Sequence, residues 1–224
     1  MQQRIPSPLS LLEGWNVSVD GGAFAPCRVP GLVSDPCRMN QGPVIYRNRV
    51  TLPQGEWDRC TLLLKGARFC PTVRINGREV CRREGGTGQL WCPLDSPDVK
   101  PGSTVLLEIV LLSLEDVPLQ DASRIPEADW WRSNLSSLLW DEPVLFFSKG
   151  AALTQAIAFS DFSHNRLELR CLFSRCGEQQ AFPVQALILD GERVVAQMQD
   201  TVYCPVGEMV QKTLSLDLGE GCHP

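Results

Sequence analysis

Between Tyr46 and Val110 the hydrophobic positions fall into short runs split by turn signals, and no apolar stripe recurs there at helical spacing. Tyr46 to Leu52 is a strand-like run closed by Pro53, and Cys60 to Lys65 carries three consecutive leucines, Leu62 to Leu64. Val73, Ile75 and Val80 flank Asn76-Gly77, a dipeptide that readily takes the positive φ angles of a tight hairpin turn. After the Pro101-Gly102 turn comes Val105 to Leu112, a nearly continuous apolar run with Glu108 inside it, which the flanking turns hold to strand length. A short hairpin between longer buried strands needs a second sheet to cover it, so the pattern predicts a β-sandwich.

The same patterning extends to both sides. Trp15, Val17 and Val19 alternate with Asn16 and Ser18, a half-buried strand that ends in the Asp20-Gly21-Gly22 turn. Arg82 to Pro101 is turn-rich and reads as a loop from which Trp91 and Leu94 plug the core. Leu114 to Trp140 is the least regular stretch, mixing acids, prolines and tryptophans; a loop of that length is usually functional or packed against something. Beyond Ser148-Lys149-Gly150 the runs LTQAIAFSD, NRLELRCLFS, FPVQALILDGERVVAQMQDTV and MVQKTLSLDL predict strands of a second sandwich, with a hairpin at Asp190-Gly191.

Composition removes several function classes. The net charge is −5 and the pI near 5.1, and the densest basic pair, Arg82-Arg83, is followed at once by Glu84. A phosphate-binding footprint is therefore not expected, and nucleic acid is not a partner on this reading. No apolar run approaches the ~20 residues that span a bilayer, so no membrane association is expected. Met1 to Ser10 lacks the apolar core of a secretory signal, which points to the cytoplasm. Of the ten cysteines, Cys60, Cys70, Cys81 and Cys92 sit in or beside predicted strands, where a reduced thiol behaves as a small hydrophobe. Free buried thiols are the expectation, with a disulfide framework as the alternative. With no Cys-x2-Cys pair and only two histidines, His164 and His223, neither a metal site nor a cofactor is expected.

The ordered set of small motifs resembles the N-terminal jelly-roll domain of glycoside hydrolase family 2, the β-galactosidase, β-glucuronidase and β-mannosidase group. Gly14, Trp15, Val17, Val19 and Asp20 fit its opening strand, and Val29-Pro30-Gly31 fits the lead into its first long loop. Tyr46, Arg47, Val50, Leu52 and Pro53 match its Tyr-Arg-x-x-Val-x-Leu-Pro strand. Gly66-Ala67, then Val73, Ile75, Asn76 and Gly77, then Gly85-Gly86 follow in the family's order. Two departures stand near the end of the stretch: Ser136-Ser137 replaces a common Gly-Gly, and Trp140 stands where arginine is frequent. The resemblance implies an all-β chain. A jelly-roll (galactose-binding-like) β-sandwich would occupy residues 1–148 and an immunoglobulin-like β-sandwich residues 149–224. The second is expected to be incomplete, because that fold takes about seven strands in ~100 residues and only five or so are visible.

Family 2 enzymes hydrolyse β-glycosides with two glutamates on a (β/α)8 barrel, a fold that takes about 250 residues. The family's Asn-Glu acid/base dipeptide and its Arg-x-x-His-Tyr-Pro segment are absent, so no catalytic residue is assigned and the chain alone is expected not to cleave glycosides. Its implied partners are carbohydrate, through the full-length enzyme, and the missing C-terminal barrel, whose pocket rim the chain would shape. The rival readings are a stand-alone carbohydrate-binding module and a structural or adhesive tandem sandwich.

Four residues are candidates for sugar contact. Asp116, in an acidic loop with Glu115, Asp121, Glu127 and Asp129, stands by position where β-galactosidases place an aspartate on the sugar; a solvated loop is the plainer account. Trp130 and Trp131 offer flat apolar faces that match the C–H groups of a sugar ring, or pack their own loop. Asn40 lies in a loop that approaches the sugar in β-galactosidases.

Overall fold

The computed structural model describes residues 5–35, 37–85, 88–116, 136–175, 181–205 and 208–218. Among these there is no α-helix, and the strand pairings whose register is described are antiparallel. The chain divides into two compact units, Met1–Phe147 and Ser148–Pro224.

The first unit is a β-sandwich. Its strands are β1 (Leu9–Ser10), β2 (Trp15–Val19), β3 (Ala25–Cys27), β4 (Val44–Thr51), β5 (Arg59–Leu64), β6 (Ala67–Arg68), β7 (Thr72–Ile75), β8 (Arg78–Arg82), β9 (Leu90–Pro93), β10 (Thr104–Leu111), β11 (Leu138–Leu139) and β12 (Pro143–Ser148). Six of them form one sheet in the order β3-β2-β4-β10-β7-β8, four form the opposing sheet β1-β12-β5-β9, and β11-β6 is a short pair. The period-two pattern explains the inner faces: Val44, Tyr46 and Val50 of β4 and Val105, Leu107, Ile109 and Leu111 of β10 are buried and meet Leu62, Leu64, Leu145 and Phe147 from the other sheet. β10 lies between β4, paired from Thr104↔Thr51 to Leu111↔Val44, and β7, paired from Leu107↔Ile75 to Val110↔Thr72. Glu108 is on the opposite face of that central strand, buried, and its carboxylate accepts a hydrogen bond from Arg47 Nε at 2.8 Å. The Arg47 guanidinium also lies 4.0 Å above the Phe24 ring.

The hairpin at Asn76-Gly77 forms as the sequence predicts. Asn76 (φ +49°) and Gly77 (φ +83°) both take the left-handed conformation that matches the twist of the flanking strands β7 and β8. One expectation is corrected. The stretch read as a loop around Trp91 contains β9, paired with β5 from Thr61↔Pro93 to Leu64↔Leu90. Trp91 is half-buried against Phe146, ring centroids 5.3 Å apart, while Cys92 enters the core; Leu94 is buried as expected. Four residues containing a cysteine and a proline are too short for alternation to register, and the free edge of β5 is what draws them into a strand.

The second unit has strands β13 (Ala151–Asp161), β14 (Arg166–Arg175), β15 (Ala181–Asp190), β16 (Arg193–Tyr203) and β17 (Met209–Asp217), with a 3-10 turn at Phe162–His164. β13-β14-β17 form one sheet and β15-β16 form a hairpin turned at Gly191 (φ +59°). Cys171, Phe173, Leu214 and Leu216 from the first sheet pack with Ala186 and Val202 from the hairpin. Lys212 on β17 ties the two together through Asp200 on β16, at 2.7 Å. The Lys212 hydrogen bond, helped by the Thr201 N–H, holds the Asp200 carboxyl below the usual aspartate range. A carboxyl lowered in the folded state stabilises the fold above its unfolded pKa, and that contribution is lost as pH falls through the folded value. We expect an NMR titration to place Asp200 below about 3.9 and to show it returning toward that figure in Lys212→Met. An unchanged titration in the variant refutes the pairing.

Candidate functional site

The candidate site lies where β10 runs out of the sheet. Leu112 N donates to the Phe69 carbonyl at 2.9 Å, which holds the chain to the loop after β6 as it leaves. Ser113, fully buried, follows: its hydroxyl donates to the Asn40 carbonyl and accepts from Glu115 N at 3.2 Å. Asp116 N donates to the Ser113 carbonyl at 3.1 Å, closing a turn that presents Glu115 and Asp116 to solvent. Phe69, Cys70 and Leu114 form a small apolar cluster of their own, with Leu112 against it.

Asn40 organises this corner. It is 3% exposed, and its side-chain oxygen accepts from Ser137 N at 2.7 Å. The Ser137 hydroxyl in turn donates to the Leu112 carbonyl at 2.6 Å. Three segments far apart in sequence, at residues 40, 112–116 and 136–137, are thus laced through one asparagine and two serines. Buried polar atoms of this kind hold geometry because leaving one unpaired costs about 1–3 kcal/mol. The Ser136 hydroxyl is buried and has no hydrogen-bond partner.

The wall next to the corner is equally specified. Leu139 N donates to the Tyr46 hydroxyl at 3.3 Å, and burial pushes the Tyr46 phenol well above its ordinary pKa, so it serves as a fixed neutral contact. Trp140 N donates to the Gly66 carbonyl at 3.0 Å, and the indole lies over Gly66 so closely that a Cβ there would fall 2.5 Å from the ring. Only glycine fits beneath Trp140.

The structure therefore brings two of the four sequence-derived candidates into one network: Asn40 directly, and Asp116 through Ser113. Trp130 and Trp131 lie outside the described residues. Asn40 differs from the expected direct contact in one respect, since its side-chain oxygen is committed to the Ser137 amide; its evident work is positioning. Sequence reading missed Ser113, a lone serine after a strand that nothing marks. It noted Ser137 only as a departure, yet a glycine at that position has no hydroxyl to offer Leu112. Chemically the corner presents exposed carboxylates on a rigid turn, suited to accepting hydrogen bonds from hydroxyl groups. Among the described residues no group of three or more histidine, cysteine, aspartate or glutamate side chains could hold a metal ion.

No protein-family model and no curated protein sequence matches the chain. Solved structures do. A GH2 β-galacturonidase from Eisenbergiella tayi bound to galacturonate superposes with a TM-score of 0.67 at 14% identity, over 96% of this chain and 37% of its own. Bacteroides uniformis β-glucuronidase 2 gives 0.70 at 15% identity, over 93% and 27%. A β-D-mannosidase from Dictyoglomus thermophilum gives 0.64 at 14% identity, over 95% and 31%. The chain spans about a third of the length of such enzymes. Across nearly all of its own length, then, the chain has the fold of one portion of the β-glycosidases of glycoside hydrolase family 2.

Proposed function

We propose that this chain is a non-catalytic portion of a family 2 β-glycosidase, which buttresses a catalytic barrel and shapes the rim of its sugar pocket. The observation that carries the reading is the lopsided coverage: nearly the whole chain superposes on each of these β-glycosidases, while much of each enzyme lies beyond it. On this reading residues 1–148 are the jelly-roll domain and 149–224 an immunoglobulin-like domain. The carbohydrate partner is reached through the barrel. Asp116, on a turn fastened to the central strand, accepts a hydrogen bond from a sugar hydroxyl; Trp130 and Trp131 supply stacking faces; Asn40 sets the turn's position. The cysteines described in the structure are all free thiols, which supports a reducing compartment such as the cytoplasm.

Chromogenic β-glycosides test the reading. The purified chain is expected to give no turnover, because retaining hydrolysis needs two carboxyl groups held about 5 Å apart on a rigid frame. The product of the reading frame continued beyond Pro224 is expected to hydrolyse them. Hydrolysis by the chain itself, or a stop codon directly after Pro224, overturns the proposal. Affinity of the chain alone for simple glycans, read by calorimetry, would make it a binding module instead.

A further inference from the structure

Directly opposed residues on paired strands share a face of the sheet. Cys81 on β8 lies opposite Val73, Cys92 on β9 lies opposite Leu62, and both partners are fully buried. The two thiols therefore project between the sheets of the first unit. β8 is the outermost strand of the six-stranded sheet, β9 is the outermost strand of the four-stranded one, and the two edges come together. There Cys81 packs against the buried cluster that contains Cys92, whose thiol donates to the Pro93 carbonyl at 3.8 Å. Cys92 belongs to the core, whereas Cys81 packs against it while remaining partly exposed. One thiol is reachable from solvent and its neighbour is not.

We propose that Cys81 and Cys92 form a reversible oxidation site whose disulfide staples the two sheets together along that side of the sandwich. The oxidant class is a low-molecular-weight disulfide such as oxidised glutathione, an anion that the exposed Arg82 next to Cys81 draws in. Cys81, as thiolate, attacks one glutathione sulfur; the glutathione S–S bond breaks and one glutathione thiolate leaves. Cys92 then gives up its proton and attacks the Cys81 sulfur of the mixed disulfide, expelling the second glutathione thiolate. Two protein thiols are oxidised to one disulfide, the glutathione disulfide is reduced to two thiols, and the two protons end on those thiols. The order follows from access, and burial pushes the Cys92 thiol up, which makes it the resolving and not the attacking group. Cys60, in the same cluster as Cys92 and pushed up to about 12 by burial, is itself buried on β5, the strand hydrogen-bonded to β9, two residues out of register with Cys92. It has no route to the oxidant.

The reduced full chain, incubated natively with oxidised glutathione, alkylated and mapped by mass spectrometry, should yield a Cys81–Cys92 cross-linked peptide that dithiothreitol removes. Its thermal midpoint should rise by about 5 °C, a rise absent in Cys81→Ser and in Cys92→Ala. A Cys81–glutathione adduct that never resolves, a cross-link to Cys60, or no reaction at Cys81 each overturns the proposal. Cys81→Ser tests it without disturbing the interior, since that position is partly open.

Discussion

Replacing Trp15 by alanine is expected to remove about 4 kcal/mol from the stability of the first unit, a large share of the roughly 5–15 kcal/mol by which native domains are stable. The indole is 1% exposed, stands edge-on to the Tyr46 ring at 6.2 Å between centroids, and donates from Nε1 to the Leu11 carbonyl at 2.7 Å. Alanine leaves a cavity that the neighbouring strands, fixed by their ladders, cannot close, and leaves the Leu11 carbonyl without its donor. Urea denaturation followed by fluorescence of the remaining tryptophans reads the loss. Trp15→Phe keeps much of the volume and is expected to cost about half as much. If both variants melt within about 1 kcal/mol of the parent, Trp15 does not anchor the core.

Asn40→Ala comes second, at about 3 kcal/mol. The substitution strips the Ser137 amide of its acceptor inside the protein and leaves space for most of an amide group. Its effect should also be local. Hydrogen exchange is expected to speed up at Ser137 and Asp116, which hang from the same network, before it does at Ile109 in the middle of β10. Uniform acceleration throughout the unit would mean that Asn40 is ordinary core filling and not the tie between three segments.

Much of the first unit was legible because its longer strands are apolar or alternating runs cut off by clear turn signals. Trp15–Val19, Val44–Thr51 and Thr104–Leu111 fall within two residues of the runs read from the chain, and the Asn76-Gly77 turn announced its own geometry. β9 was not legible, for its identity as a strand comes from the neighbour it pairs with and not from its own four residues. The site was readable only in part. Asp116 could be placed by its position after a strand, but the bonds that fix it run from Ser113 to Asn40 and from Asn40 to Ser137, separations of 73 and 97 residues that no local pattern encodes. Short polar side chains satisfied by distant backbone leave no trace in hydrophobicity.

The lacing around Asn40 has a consequence for how such a molecule diversifies. Asp116 and Ser137 bracket one segment of the chain, and each is tied to the same asparagine, Ser137 directly and Asp116 through Ser113. The bonds that make these clamps, from Ser113, Asp116 and Ser137, come from residues outside the stretch between them. The corner thus works as a fixed socket: a lineage can try new lengths and new chemistries there without renegotiating the framework that carries them.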